Sequence, residues 1–271
     1  MGASQAELRL LGPFEVLING RQLPVGQPKQ RALLALLALR SGTQVPMSEI
    51  IDVLWDGAPP ARARNQVQVY VSGLRRTFAE AGSGYRLIDT RPGGYLLDVP
   101  ANWVDLAAFG RAAVDAAGQA RAGDWRGADR LLHAALSCWR GYPLGGVPGE
   151  FFEQTAHQLE ERRVAALEQQ LRVKLALGDH TELVAGLRGT VAQYPLHEGL
   201  RHGLMLALYH SGRSAEALAI YRDGRDKIVD QLGIEPGPEL RALELMILRG
   251  EPASVVSAMV RDRSATKLLD R

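Results

Sequence analysis

Residues 62–78 bring together side chains that can read DNA bases and contain none that would repel a phosphate backbone. No Asp or Glu lies between Arg62 and Phe78, whereas four arginines and three amide side chains do. Arginine can donate two hydrogen bonds to guanine, Asn and Gln pair with adenine in a similar way, and an apolar side chain such as Val69 can contact the thymine methyl group. This chemistry is that of base recognition, not of catalysis.

The apolar residues of the same segment predict which side of it faces the solvent. Val67, Val71, Leu74 and Phe78 recur at steps of three and four residues, which is typical of a helix buried along one stripe. A turn of about 100° per residue then sets the opposite face. The side chains predicted to contact DNA from that face and its flanks are Arg62, Asn65, Gln66, Gln68, Val69, Ser72 and Arg76. The alternative interpretation is a polar surface helix without a ligand.

The surrounding elements predict a winged helix-turn-helix domain over residues 1–100. Short strands over residues 8–23 turn at an Asn-Gly pair, a helix spans Lys29–Arg40, and a second helix starts with Ser48 as its N-cap and stops at Asp56–Pro60. After the third helix, strands at 85–88 and 95–99 form a hairpin wing. In such domains the third helix enters the major groove, and the wing contacts the adjacent minor groove or backbone.

Arg91 lies near the tip of the predicted wing, where its charge suits a narrow minor groove. An ordinary loop cation is the alternative for this residue. Gly93 and Gly94 are explained by the dihedral angles of the turn alone.

Residues 101–248 predict an all-helical domain of tetratricopeptide-like repeats. Pro100–Asp105 marks the boundary, and Asn102 or Asp105 could cap the first helix. Gly123, Gly178 and Gly212 are each followed by apolar or small residues at +5 and +9, and the last step is 34 residues. An insertion around Gly141–Gly146 interrupts the array. Such stacks bind protein or peptide partners on a concave face, or they support and dimerise another domain. Residues 249–271 are interpreted as a flexible tail or linker.

Composition excludes several classes of protein. The longest apolar run, Ala32–Leu39, is too short to cross a bilayer, and no export signal precedes it, so we expect a cytoplasmic protein without a membrane partner. Cys138 is the only cysteine, is expected at a buried helix position, and cannot form an internal disulfide. The six histidines show no metal-ligand spacing, and no catalytic motif is visible. We therefore expect neither an enzyme nor a cofactor.

The net charge of +2 is unevenly distributed along the chain. Residues 1–100 hold 11 Lys or Arg against 8 Asp or Glu, whereas the remainder holds 21 against 22. This modest basic excess lies in the half that carries the predicted DNA reader, where it gives weak support to a nucleic-acid partner.

Seven segments, in order along residues 8–248, resemble the Streptomyces antibiotic regulatory proteins, whose N-terminal domain is of the OmpR type and whose helical half is a bacterial transcriptional activation domain. The segments are Leu11–Val16, Pro28–Leu37, Ala63–Arg76, Thr90–Tyr95, Leu206–Arg213, Ala215–Tyr221 and Leu232–Leu240. The resemblance implies an activator of antibiotic or secondary-metabolite genes. It would bind tandem direct repeats in promoter double-stranded DNA as a dimer or as tandem protomers, and would recruit RNA polymerase and its sigma factor.

The resemblance also assigns residues. The polymerase contact would lie in the loop between the second and third helices, which is Trp55, Asp56, Gly57, Ala58, Pro59 and Pro60 in this chain. Lys29 and Arg31, at the start of the first helix, would contact phosphates. Some longer members carry a nucleotide-binding domain, but this chain has no Gly-x-x-x-x-Gly-Lys-Ser/Thr loop, so ATP dependence is not implied.

The sequence thus predicts a mostly α protein, with an N-terminal α+β winged helix-turn-helix domain and an all-α tetratricopeptide-like domain. The predicted function is that of a sequence-specific transcriptional activator, associated with the nucleoid when bound to DNA. The alternative is a helical-repeat scaffold whose winged helix docks a protein. Affinity that falls steeply with salt would favour the activator.

Overall fold

The computed structural model describes residues 6–82 and 87–253, which form two compact units. The first unit contains the described part of residues 1–118 together with residues 130–166, and the second contains residues 119–129 and the described residues from 167 onward. The chain is mostly helical, with small sheets confined to the N-terminal hundred residues, as the sequence predicts.

The first unit opens with an antiparallel sheet of β1 (Ala6–Arg9), β2 (Glu15–Ile18) and β3 (Arg21–Gln22), in that order. Asn19 and Gly20 form the two-residue turn between β2 and β3, and both have positive φ angles, as a tight hairpin requires. Helix α1 (Pro28–Leu39) follows and is buried on all sides between Ala32 and Ala38. It forms the centre of the N-terminal core.

The helix-turn-helix consists of α2 (Met47–Trp55) and α3 (Ala63–Glu80), and the wing is a hairpin of β5 (Ile88–Arg91) and β6 (Gly94–Leu97). A short strand, β4 (Gln44–Pro46), pairs with β6, so that the second sheet has the order β4-β6-β5. The winged helix-turn-helix fold is therefore confirmed. Residues Tyr85 and Arg86 of the predicted first wing strand lie outside the described residues.

Two local predictions in this region are wrong. Ser48 is not the N-cap of the second helix, because the helix already begins at Met47 and Pro46 occupies the cap position. Gly94 is not explained by turn dihedrals, since only Gly93 has a positive φ, of 79°. A Cβ on Gly94 would collide with the carbonyl oxygen of Val45, so the close approach of β4 requires glycine there.

The first unit also contains the insertion predicted around Gly141–Gly146, which pairs with the connection between β1 and β2. Its backbone bonds are Arg140 N to Leu11 O (2.8 Å), Leu144 N to Leu10 O (2.8 Å), Gly145 N to Gly12 O (3.1 Å) and Phe14 N to Gly145 O (2.9 Å). The Arg140 side chain adds an ion pair with Glu15 at 2.7 Å. The insertion is thus hydrogen-bonded to the segment that connects β1 and β2.

Asp105 is the first residue of α4 (Asp105–Arg121), and Asn102 lies in the short 3-10 turn that precedes it. The Asp105 carboxylate accepts the backbone N–H groups of Leu10 and Leu11 at 2.8–3.0 Å, and that of the adjacent Leu106 at 2.7 Å. Burial raises the pKa of this carboxyl, although these hydrogen bonds and Arg140 act in the opposite direction. Because α4 begins at Asp105, the cap position is Val104, and the prediction of Asn102 or Asp105 as the cap is wrong. The Asp105 carboxylate instead joins α4 to the segment between β1 and β2.

Helices α4, α5 (Trp125–Ser137) and α6 (Glu150–Leu177) contribute residues to both units. The second unit is completed by α7 (His180–Gln193), α8 (Glu198–His210), α9 (Ser214–Leu232) and α10 (Pro238–Leu248), with α8 packed against α7, α9 and α10. Gly123, Gly178 and Gly212 occupy the interhelical turns with φ between 73° and 83°. The helical-repeat prediction is confirmed.

Cys138 is not the buried helix residue that its neighbours suggest, because α5 ends at Ser137 and the side chain is half-buried. The neighbouring Trp139 fills the core instead. Of the predicted tail, residues 254–271 lie outside the described residues. Within the described ranges, no helix is long and apolar enough to cross a membrane.

Candidate nucleic-acid interface

Helix α3 presents the polar face that its periodicity predicts. The predicted buried stripe, Val67, Val71, Leu74 and Phe78, is at most 2% exposed. All five residues placed on the opposite face, Arg62, Asn65, Val69, Ser72 and Arg76, are exposed, as is Gln68, while Gln66 is half-buried. Val69 is 66% exposed in the middle of this face.

Three exposed arginines in residues 62–76 bind no other described residue. Arg62, Arg64 and Arg76 have no side-chain hydrogen bond or ion pair with any residue that the structure describes, whereas Arg40, Arg140 and Arg213 each pair with a carboxylate. Because no acidic residue precedes Glu80 in the helix, the positive charge of the face is not neutralised locally. Such a surface attracts a polyanion and leaves its guanidinium forks free to bind one.

Sequence reasoning did not select Arg64 as a contact residue. Its side chain is exposed, although its helical angle lies nearer to the buried stripe than those of Arg62 and Arg76. The absence of acidic residues around it was the signal that could have identified it.

The wing places a further arginine at a tight turn. Arg91 pairs with Gly94 across the hairpin, so Pro92 and Gly93 are the two turn residues, and Arg91 is exposed immediately before them. Its guanidinium lies 3.4 Å from the Asp89 carboxylate, and both side chains are partly exposed. A solvent-exposed pair at this distance is weak and can exchange for a phosphate or another acceptor.

Arg75 differs from its neighbour Arg76, because its side chain faces the wing. Its Nε and Nη2 donate to the carbonyl oxygen of Ile88 at 3.0 and 2.8 Å, and Nη2 also donates to the Thr90 hydroxyl at 2.8 Å. The arginine therefore connects α3 with strand β5.

Lys29 and Arg31, the expected phosphate contacts, already make contacts within the first unit. The Lys29 ammonium donates to the carbonyl of Leu54 and lies 5.7 Å from the centre of the Trp55 ring. The Arg31 guanidinium donates to the carbonyl of Phe14 and lies 5.6 Å from the Phe14 ring. Both cations thus connect α1 to neighbouring segments.

The loop between α2 and α3 is exposed from Asp56 to Pro60. Asp56 and Gly57 adopt positive φ angles of 48° and 80°, which reverse the chain after α2. Trp55 stacks on Tyr70 of α3 with 6.5 Å between ring centres, and its side chain is half-buried. The two prolines then restrict the backbone, so the loop is a stiff and accessible surface.

Two family models match the chain. One, described as bacterial transcriptional activator domain, matches residues 104–248, and the other, described as transcriptional regulatory protein, C terminal, matches residues 22–97. The second match contains α1, α2, α3 and the wing.

Several regulators are similar over nearly the whole chain. Regulatory protein AfsR of Streptomyces coelicolor is 40% identical over 261 residues, which are 96% of this chain but 26% of AfsR. Regulatory protein DnrI of Streptomyces peucetius is 35% identical, and the alignment covers 91% of this chain and 93% of DnrI. The chain thus spans about a quarter of AfsR and nearly all of DnrI. Both relatives are regulatory proteins by name.

A solved structure agrees with this similarity. The structure of Mycobacterium tuberculosis EmbR in complex with a low-affinity phosphopeptide matches with a TM-score of 0.86 and 35% sequence identity, covering 98% of this chain and 71% of that chain.

Proposed function

Because this chain belongs to the family of the Streptomyces antibiotic regulatory proteins, which are transcriptional regulators, we propose that it is a sequence-specific DNA-binding activator. Helix α3 reads bases in the major groove, and Arg91 of the wing enters the adjacent minor groove or contacts the backbone. The observation that carries this proposal is the exposed polar face of α3 within the acid-free residues 62–78, which contain three exposed arginines that bind no other described residue.

The proposed contact residues fall into those that bind base edges and those that bind sugar or phosphate groups. Arg62, Arg76, Asn65, Gln66 and Gln68 contact base edges, and Val69 contacts a thymine methyl group. Ser72 and Arg64 contact sugar or phosphate groups. Lys29 and Arg31 contact phosphates in this proposal, as expected from the family, and each also donates one hydrogen bond that fixes α1 beside Leu54 or Phe14.

The remaining features of the proposal follow from the family. The activator binds tandem direct repeats in promoters of antibiotic or secondary-metabolite genes, as a dimer or as tandem protomers, and works in the cytoplasm at the nucleoid. The loop of Trp55, Asp56, Gly57, Ala58, Pro59 and Pro60 recruits RNA polymerase through its sigma factor. The loop's exposure and stiffness support that role.

The test is a titration of the protein against its own upstream promoter DNA and against a scrambled duplex, at two salt concentrations. We expect a preference for the promoter that persists at the higher salt concentration. Equal, weak binding to both duplexes that disappears with added salt would contradict sequence-specific recognition and would favour a helical-repeat scaffold that binds protein.

Substitutions of α3 arginines provide the second test. Arg76→Ala or Arg62→Ala should each weaken binding to the promoter by about 1 to 3 kcal/mol, the range for one bidentate base contact. Arg172→Ala is the matched control, because Arg172 is an exposed arginine of α6 outside the proposed interface. If the α3 variants and the control bound the promoter equally well, α3 would not be the reading helix.

A further inference from the structure

Among the described residues, strand β5 of the wing pairs with a strand on one side only, and a side chain of α3 binds it on the other side. We propose that Arg75 is a positioning residue that holds the wing, and with it Arg91, in a fixed relation to α3 during DNA recognition. This inference rests on the proposed DNA binding and adds the residue that joins its two contact elements.

The Ile88 carbonyl lies on the open edge of the wing sheet. In the sheet order β4-β6-β5, strand β5 is an edge strand. Asp98 donates its N–H to the carbonyl of Leu87, and antiparallel hydrogen bonding alternates along a strand, so the next carbonyl, that of Ile88, points away from β6. Arg75 donates to this carbonyl, which no strand of the wing could reach.

The planar guanidinium group of Arg75 can bind two acceptors at the same time. Arg75 bonds two points of β5 at once, the Ile88 carbonyl and the Thr90 hydroxyl, which are two residues apart along the strand. A planar fork holds both position and orientation, whereas a lysine ammonium on its flexible stem would not reproduce both contacts. The interaction therefore limits sliding and rotation of β5 against α3.

Arg91 lies close to the point at which Arg75 binds β5. Thr90 is its neighbour in β5, and the turn that follows contains only Pro92 and Gly93. The wing is short at this end, so the point at which Arg75 holds β5 determines where the Arg91 side chain begins. The distance between major-groove and wing contacts must match the DNA, and Arg75 sets that distance on the protein.

The first measurement is amide hydrogen exchange in the full chain without DNA. In Arg75→Lys we expect the amides of β5 and β6 to exchange about tenfold faster, while those of β1 and β2 are unchanged. Thr90→Val, which removes only the hydroxyl acceptor from a strand position, should have a smaller effect in the same direction. Unchanged exchange in both variants would show that Arg75 does not hold the wing.

The second measurement is a double-mutant cycle on the promoter used above. Arg91→Ala should weaken binding about tenfold in the wild-type chain but less than about threefold in Arg75→Lys, because a released wing no longer presents Arg91. Arg62→Ala is the control partner, and its effect should be equal in both backgrounds. If Arg75 only stabilised the fold, Arg75→Lys would change the affinity losses caused by Arg91→Ala and by Arg62→Ala to the same extent.

The outcomes separate the two proposals. Additive losses for Arg75→Lys and Arg91→Ala, with promoter preference intact, would overturn the positioning role and leave the proposed function standing. If the wild-type chain had no preference for its promoter, the proposed function would fail together with any role of Arg75 in recognition. The exchange measurement would then still decide whether Arg75 fixes the wing as a structural element.

Discussion

In the second unit, the buried side chain of Arg201 packs against the backbone of Gly224. Arg201 is only 1% exposed, and its guanidinium donates to the carbonyls of Ile220 (2.7 Å) and Pro195 (2.9 Å) and to the Asp223 carboxylate (3.0 Å). The arginine fits because residue 224 has no side chain, since a Cβ there would collide with the guanidinium group. A buried arginine of this kind is fixed by partners on other segments.

Gly224→Ala should therefore lower the free energy of unfolding by about 1 to 3 kcal/mol, the usual cost of overfilling a packed site. Gly186→Ala is the matched control, because Gly186 is also a helical glycine but has open space where the Cβ would lie. That variant should be neutral or more stable by about 0.5 to 1 kcal/mol, since alanine favours a helix. Chemical denaturation of both variants would compare them, and equal stabilities would refute the packing argument.

His202 should make the stability of the second unit depend on pH. Burial lowers the pKa of His202 below its ordinary value of 6.5, although Glu239 acts in the opposite direction. The unfolded chain then binds its proton at a higher pH than the folded chain does, so stability is lost as the pH falls below 6.5. Burial lowers the pKa of His180 in the same direction.

The measurement is the urea midpoint at about pH 7.5 and about pH 5.5, on either side of the histidine titration. The midpoint of the wild-type chain should fall on acidification, and that of His202→Gln should fall less. Identical shifts in the two proteins would exclude His202 as a source of the dependence.

At the residue level, local periodicity predicted the exposed side chains of α3, because one turn of helix decides which way each residue faces. It could not predict the contacts of Lys29 and Arg31, whose partners are the carbonyls of Leu54 and Phe14. A sequence does not indicate which carbonyls of the same chain lie near a charged side chain, because that depends on the folded neighbours. The phosphate contacts of Lys29 and Arg31 stay a prediction.

At the scale of elements, long periodic segments were predictable and short ones were not. Helices α1 and α3 are long enough for a helical pattern of apolar residues to be recognised, whereas β4 has three residues and buries only Val45. Its presence depends on pairing with β6, which lies about fifty residues further along the chain. The start of α2 was misplaced for a related reason, because Ser48 satisfies a local cap rule while the helix begins beside β4.

The exposed loop after α2 contains Pro59 and Pro60. Replacing Pro59 and Pro60 by alanine should loosen the exposed loop, reducing transcription from the target promoter while changing promoter affinity less than about threefold, since α3 is intact. In vitro transcription with polymerase and a mobility shift on the same DNA would measure both quantities. A parallel loss of transcription and binding would reduce the loop to a folding element.

At the scale of the whole molecule, the N-terminal sheet depends on residues far along the chain. The division of the chain into modules 1–100, 101–248 and 249–271 stays a prediction, made where the strand pattern ends. The first compact unit also includes residues 130–166. The hydrogen bonds between residues 10–14 and 140–145 explain this, and nothing in either segment alone indicates the other.

A chain that ends at residue 103 should therefore have a lower free energy of unfolding than one that keeps residues 104–253. It loses four backbone hydrogen bonds between these segments. At about 1 kcal/mol each, their loss lowers the free energy of unfolding by about 4 kcal/mol. A chain that ends at residue 253 is the control, since it keeps every described contact. Thermal denaturation would compare the two, and equal midpoints would show that the N-terminal domain is autonomous.

The same pairing imposes an order in time. A ribosome makes Leu10 and Phe14 early, but their partners Leu144 and Gly145 come roughly 130 residues later, which corresponds to roughly 7 to 26 s of translation at common elongation rates. The first sheet of a nascent chain must wait for that interval with its connecting segment incomplete. The pace of synthesis, and not only the final stability, thus determines when the N-terminal half first reaches its finished form.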